Sequence, residues 1–317
     1  MADPHRNRAA VVVNPIKRTE VDLRSLVTKV CLDEGWDEPL WLETKVEDPG
    51  QGMTREALEA GVDLVIAAGG DGTVRCVSEV LAGTDTPLGL LPLGTGNLLA
   101  RNLDIDINDP QAAVLDALNG TERRIDVVHI HVDHAQDSHV FLVMAGLGFD
   151  AAIMGDTRDD LKDKVGWLAY VDAGIRNLPG KPARTKLRID GKKPFYRRVR
   201  SVMGGNCGKI MGGLEIFPGA RLDDGLLDIM TVAPRGKLGW LGVAAGLLRR
   251  GKGRDPSLEY FRCESAEIQT LLPQEIEIDG DTLGQGTHLL LRVQPRSLRI
   301  RMPYGKKDPA VLSQTEP

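Results

Sequence analysis

The chain has 317 residues, of which 42% are hydrophobic, 27% charged and 4% aromatic. That is a soluble globular composition with room for two ordinary domains; it excludes a disordered chain, and so few rings argue against a stacking platform for nucleic acid. Residues 1–126 hold 12 Lys+Arg against 22 Asp+Glu, and the remainder 28 against 23, so an acidic first part precedes a basic second part suited to an anionic surface.

The first part alternates strand and helix signals. Residues 9–15 are apolar and β-branched, a strand; residues 21–35 place Leu23, Leu26, Val27 and Val30 on one helical face and end at Gly35. Then follow a short strand at 40–43, a helix at 53–61, a fully apolar strand at 63–70, a helix at 74–83, a further apolar strand at 87–94 and the opening of a helix at 97–103. This β-α rhythm with buried strands predicts a parallel sheet covered by helices on both faces. Beyond Asp126 the rhythm changes. Residues 129–148 and 186–203 read as hairpins, 225–233, 266–271, 274–281 and 288–295 as strands, and 165–178 and 237–251 as helices, a mostly antiparallel β-domain. No apolar run is long enough to span a bilayer. Cys31, Cys76, Cys207 and Cys263 form no CxxC pair, and the polar N-terminus has no secretory pattern, so reduced thiols and a cytoplasmic location are expected.

The strongest chemical signal is Gly69-Gly70-Asp71-Gly72-Thr73-Val74, placed after a buried strand and before a helix. Glycines there admit a ligand close to the backbone, and the helix N-terminus offers N–H groups and a positive dipole end, together a phosphate cradle. Asp71 is no phosphate ligand by charge; it suits a water-linked magnesium contact or the orientation of a reacting group. Taken alone, the loop also reads as a plain βα turn. PLGTGNLLAR (92–101) repeats the arrangement one strand later: Gly94 and Gly96 free the backbone, while Thr95 and Asn97 offer hydrogen bonds and helix capping. Two such loops at the carboxyl ends of neighbouring parallel strands mark the crevice where open α/β sheets bind ligands. Neither has dinucleotide or P-loop spacing. Further on, Asp223, Asp224 and Asp228 crowd one turn, where bound Mg²⁺ would offset their repulsion, although DDG is also ordinary turn chemistry. Asp279 and Asp281 flank Gly280 between two strands, a place for a general base toward an alcohol or for a simple hairpin turn.

In this order and spacing, together with Asn14-Pro15, GLGFDA (146–151) and the segment 205–228, these residues resemble the diacylglycerol kinase catalytic-domain family, which includes bacterial diacylglycerol kinases and sphingosine kinases. The resemblance covers nearly the whole chain. It implies an ATP-dependent lipid kinase that converts a membrane lipid, diacylglycerol first among them, to its phosphate, with ATP as donor and Mg²⁺ as cofactor. It implies nucleotide contacts at Asn14, Pro15, Thr44, Gly69, Gly70, Asp71, Gly72, Thr73, Gly94, Thr95, Gly96 and Asn97. Backbone carbonyls of Arg221 and Leu226 with the Asp224 side chain would hold Mg²⁺, Asp126 would join a water-linked network around it, and Asp281, helped by Asp71, would be the catalytic base. The implied fold is an α/β nucleotide domain of residues 1–126 with about 296–317, and a β-sandwich lipid-substrate domain of 127–295. There are four departures from the family pattern: Arg75-Cys76 for Asn-Glu, Leu98 for Asp, Ile16-Lys17-Arg18 for small residues, and Asp281 for Glu. The alternatives are a kinase of a soluble substrate such as NAD, and a non-catalytic lipid-binding homologue.

Residues 181–200 hold Lys181, Arg184, Lys186, Arg188, Lys192, Lys193, Arg197, Arg198 and Arg200 against Asp190 alone, which suits peripheral docking on an anionic membrane or a solvated hairpin face. Residues 237–254 mix Trp240 and leucines with a basic end, fitting a membrane interface or a helix packed on the β-domain. The partners expected are a membrane lipid and no nucleic acid, with a homodimer open.

Overall fold

Successive residues of a strand point to opposite faces, so an unbroken run of buried residues means cover on both sides. The computed structural model, which describes residues 6–17, 21–148, 182–210, 215–234, 243, 257–303, 309 and 312, shows this in β1 (Ala9–Val13), β3 (Leu64–Gly69) and β4 (Leu88–Pro92). With β2 (Leu40–Glu43) they form a parallel sheet in the order β2-β1-β3-β4. Its cover comes from two helix pairs. α1 (Leu23–Asp33) packs with α5 (Pro110–Asn119), and α2 (Gln51–Glu59) packs with α3 (Asp71–Leu81). Asp22 caps α1 by accepting the Ser25 N–H at 3.2 Å, and Asp109 caps α5 ahead of Pro110 by accepting the Ala112 N–H at 3.0 Å. Neither α5 nor its Asp-Pro start figured in the sequence reading. All four cysteines are buried, and burial pushes the Cys31 thiol up to about 11.

The chain divides into two compact units, one running to Val127 and resuming at Pro295, the other Val128–Gln294. It passes between them within two long strands, β5 (Thr121–Val132) and β14 (Asp281–Met302). The end of β14 lies parallel to β4, pairing Ile300 with Leu88.

The second unit is antiparallel. β10 (Ser201–Gly205) lies between β7 (Met144–Leu147) and β11 (Leu227–Val232), and β12 (Leu258–Cys263) pairs on the far side of β11. β5 forms a hairpin with β6 (His139–Phe141). β8 (Ala183–Ile189) and β9 (Phe195–Val199) form a second, turning at Asp190 (φ 49°) and Gly191 (φ 66°), the left-handed pair that matches strand twist. The two strands expected at 266–271 and 274–281 are one, β13 (Ser265–Ile278), whose register slips between Gln269 and Gln274. Before the slip it pairs with β8 and after it with β7, so the break in the apolar pattern is a bulge and not a loop. Val128, Ile130, Phe141, Leu187, Ile268, Leu289 and Leu291 are among the buried core residues. The helices expected at 165–178 and, apart from Val243, at 237–251 lie outside the described residues.

Candidate functional site

Parallel strands in register end together, which brings distant loops to one edge. Val13 pairs with Glu43 and with Ala68, and Gly69 pairs with Pro92. Asn14, Thr44, Gly70 and Gly94 therefore all follow the carboxyl ends of adjacent strands. The chain runs from β1 outward to β2 and returns to β3 on the other side, so the crevice between β1 and β3 is the switch point where such sheets take ligands. Asn14 is half-buried, its Oδ1 accepting the Ile16 N–H at 3.1 Å; Pro15 is exposed and Thr44 buried. Lys17, at the same edge, brings its Cε to 3.9 Å from where a Cβ on Gly70 would stand.

The two glycine loops touch. A Cβ on Gly94 would lie 2.7 Å from the Gly70 Cα, so neither backbone could approach the other with a side chain between them. Asp71 opens α3, whose N-terminus has no side-chain cap, and its Oδ1 accepts the Leu98 N–H of the second loop at 2.6 Å. Its other oxygen lies 2.5 Å from where a Cβ on Gly96 would stand. Thr73 is buried within the first turn of α3, and Gly72 is half-buried. Asn97 takes up the left-handed conformation (φ 47°) at the start of α4 (Leu98–Asn102). Sequence reasoning gave it a capping role, but its side chain turns back: Oδ1 accepts the Gly94 N–H at 3.0 Å and Nδ2 donates to the Gly94 carbonyl at 2.6 Å. It closes the loop instead of capping the helix. Arg101 Nε donates to the Gly96 carbonyl at 2.7 Å, bracing the same loop, and Thr95 is left exposed at its tip.

In the second unit, Asp228 faces Arg262 across β11 and β12. The Arg262 guanidinium lies 3.4 Å from Asp228 and 3.7 Å from Asp224, and also donates to the Gly219 carbonyl at 2.6 Å. Asp224 Oδ1 accepts the Leu226 N–H at 3.1 Å. Burial pushes both carboxyls above their ordinary range, against the pull of Arg262. Arg262, on the strand that follows β11, thus supplies positive charge beside this acidic turn. Among the described residues no three His, Cys, Asp or Glu side chains gather as a metal site. Asp224 with the carbonyls of Arg221 and Leu226 is still an all-oxygen donor set, the kind a hard divalent cation takes, so the residues fit Mg²⁺ held by one carboxylate, carbonyls and water.

Asp279 and Asp281 separate cleanly. The β13–β14 hairpin closes on Ile278 and Asp281, with Asp279 (φ 48°) and Gly280 (φ 89°) as its two turn residues. Asp279 is buried and its carboxylate accepts three backbone N–H groups, from Leu142, Val143 and Met144, each at 2.9 Å. It is a staple between chain segments. Asp281 is exposed. In the first unit Asp126 is fully buried, with Oδ1 accepting the Arg296 N–H at 2.7 Å and so holding that residue's left-handed turn (φ 48°).

The sequence profile of the diacylglycerol kinase catalytic domain matches residues 8–130, and that of the YegS C-terminal NAD kinase beta sandwich-like domain matches 143–302. The chain belongs to the diacylglycerol kinase catalytic-domain family. A protein of Pseudomonas fluorescens named as a YegS-like lipid kinase is 35% identical over 272 residues, 85% of this chain and 87% of its own. Another, from Pseudomonas putida, is 31% identical over 302 residues, covering 94% and 96%. A Bacillus anthracis protein assigned as a diacylglycerol kinase superposes with a TM-score of 0.69 at 25% identity, over 98% of both chains. An NAD kinase of Archaeoglobus fulgidus, crystallised with ATP, shares the fold alone: TM-score 0.51, 13% identity, 93% of this chain and 94% of its own.

Within the diacylglycerol kinase family pattern, two of the departures acquire a physical setting. Cys76 is buried on the inner side of α3, its Cβ 3.5 Å from where one on Gly50 would stand, and so belongs to packing with α2. Leu98 is buried, and it is its backbone N–H, not its side chain, that meets Asp71. Sequence reasoning gave Lys17 no role, and it passed over Arg101, Arg262 and the staple at Asp279. A lysine displacing the small residues of the opening loop was a usable signal for Lys17; nothing local marks the other three.

Proposed function

We propose that this protein is an ATP-dependent lipid kinase that phosphorylates the hydroxyl of a membrane lipid, with diacylglycerol the first candidate and phosphatidic acid the product. The observation that carries the reading is the pair of touching glycine loops tied by Asp71 to Leu98 at the carboxyl ends of β3 and β4, in a chain of this family. Backbone N–H groups and the uncapped start of α3 offer the phosphate cradle. Asn14, Pro15, Thr44 and the 69–73 and 94–97 loops bind ATP in this reading, and Lys17 adds a positive charge at the same edge.

Arg221, Asp224 and Leu226 would hold Mg²⁺, with Asp126 in the water-linked network around it; bound there, the ion would offset phosphate charge. Asp281 takes the proton from the lipid hydroxyl, helped by Asp71 in orienting the acceptor. The hydroxyl oxygen bonds to the γ-phosphorus, the bond from that phosphorus to the β-phosphate bridging oxygen breaks, and ADP leaves. Positioning and electrostatics supply most of the rate, because the transition state is loose. The protein would work at the surface of an anionic membrane.

The test is labelled ATP with a panel of lipids in mixed micelles, products resolved by mass. Label in phosphatidic acid supports the full reading, and label in another lipid phosphate supports the kinase but replaces the acceptor. Label only in a soluble acceptor such as NAD, or in none, overturns it.

A further inference from the structure

The outer face of the β9-β8-β13 corner carries two features that seldom occur together by accident. The first is apolar. Leu271 and Leu272 are consecutive, 82% and 70% exposed, and sit in the bulge where β13 changes partner. They do not stand on a loose tip: Thr270 Oγ1 donates to the Leu272 carbonyl at 2.9 Å, and Gln274 Nε2 donates to the Leu272 and Pro273 carbonyls at 3.3 and 2.9 Å. Two large apolar side chains are therefore held out into solvent by a braced backbone.

The second feature is cationic. Thr185 pairs with both Thr270 and Arg197, so the next row of the sheet brings Arg184 opposite Arg198 and beside the start of the leucine bulge. Lys186 pairs with Tyr196 one row on. These side chains alternate with the buried Thr185 and Leu187, so they share the outward face. Arg188 and Arg197 find Glu267 and Glu259. Arg184 and Arg198 have no acidic partner among the described residues: Arg184 lies 4.4 Å over the half-exposed Tyr196 ring and Arg198 meets the Pro182 carbonyl at 3.4 Å, while Lys186 bonds Gln269 at 3.4 Å and shares the field of the Glu267 carboxylate with Arg188. Arg184, Tyr196 and Arg198 also line an open hollow.

We propose that this corner is the membrane-docking surface of the protein, with Leu271 and Leu272 entering the headgroup–acyl boundary of an anionic bilayer while Arg184, Lys186 and Arg198 meet lipid phosphates and Tyr196 sits at the interface. The chemistry selects this partner. Uncompensated cations call for anions, a braced pair of exposed leucines calls for an apolar medium, and an amphipathic ring belongs at the boundary of the two. A nucleic acid would meet the charges but leave the leucines in water. The purpose of the surface rests on the lipid-kinase reading; its existence does not.

The experiment is sedimentation of the full chain with phosphatidylcholine vesicles, with and without phosphatidylglycerol, at low and high salt. Wild type should bind the anionic vesicles, less so in high salt, and ignore the neutral ones. The triple variant Arg184→Gln/Lys186→Gln/Arg198→Gln should lose about 100-fold in partitioning, since each cation near an anionic leaflet contributes about fivefold. Leu271→Ser/Leu272→Ser should bind more weakly at every salt concentration while keeping the salt dependence. Unchanged melting temperatures show that both variants fold. Equal binding to neutral and anionic vesicles, wild-type binding by both variants, or a preference for a DNA duplex over vesicles overturns the proposal. Turnover on lipid dispersed in neutral detergent micelles separates the two readings. Lost docking with kept turnover is the outcome expected of both variants. Absent turnover with intact docking by wild type sinks the kinase and leaves the surface standing.

Discussion

Asp71 Oδ1 accepts the backbone N–H of Leu98 at 2.6 Å, joining the first turn of α3 to the first turn of α4 across 27 residues of sequence. One oxygen of this carboxylate is thereby spent on architecture, while the other lies against Gly96. Asparagine keeps an oxygen for the tie but removes the negative charge. We expect Asp71→Asn to retain the wild-type melting temperature and to lose all but a small fraction of kcat. Substantial kcat in a folded variant would reduce Asp71 to the tie alone.

Gly96→Ala tests the same contact from the other side. The new methyl would stand 2.5 Å from Asp71 Oδ2, closer than packed atoms tolerate, so the carboxylate or the loop must shift. A fall of about tenfold or more in kcat/KM for ATP is expected, which is about 1.4 kcal/mol of transition-state stabilisation, with a folded protein by circular dichroism. Unaltered kinetics would mean that the loop is too slack to position Asp71.

Lys17 stands exposed beside Gly70 with no ion pair among the described residues. Lys17→Met keeps the length and removes the charge. A charged hydrogen bond contributes about 1.5–3 kcal/mol, so KM for ATP should rise about tenfold or more, measured at saturating lipid. A rise in the lipid KM instead would place the lysine with the acceptor.

The Asp224 carboxyl titrates above the usual 3.8 because of burial, offset in part by Arg262. In the native state it holds its proton more tightly than when unfolded, so its contribution to stability falls as pH climbs from about 3.8 through the raised value. Magnesium binds the ionised form, so any rise in melting temperature with millimolar Mg²⁺ should be full above that raised value and vanish as pH drops through it. Asp224→Ala should abolish the Mg²⁺ increment. An increment equal in the variant, or one that grows in acid, would remove Mg²⁺ from this turn.

Asp279 and Asp281 should part company. Asp279→Ala strips three buried N–H groups of their acceptor, at about 1–3 kcal/mol each, so a loss of stability of about 3 kcal/mol or more is expected by denaturant titration. Asp281→Asn should leave stability alone and lower kcat by about 10²–10⁴, the range of a positioned base, with ATP affinity little changed. Activity within about threefold of wild type would move the base elsewhere.

Local pattern carried much of this protein into view. The apolar runs at 9–13, 64–69 and 88–92, the glycines that follow two of them, and the Asp-Gly turns at 190–191 and 279–280 each obey a rule confined to neighbouring residues: strand burial, close backbone approach, left-handed turn geometry. Those rules suffice for a parallel α/β unit, a following β unit and an edge suited to a phosphate ligand. They do not reach across the chain. That the loop at 94–97 leans on the one at 70–71, that Asn97 folds back on Gly94, that Arg262 stands between Asp224 and Asp228, and that Asp279 is consumed by three backbone amides are all contacts beyond the reach of strand and turn patterns. Local periodicity breaks at 272–273 and leaves a gap between two strands there, and only the pairing, with its change of partner from β8 to β7, makes it one strand. A carboxylate on a turn looks the same in sequence whether it faces water or three amides; the tertiary structure decides, because only it says which donors come within reach.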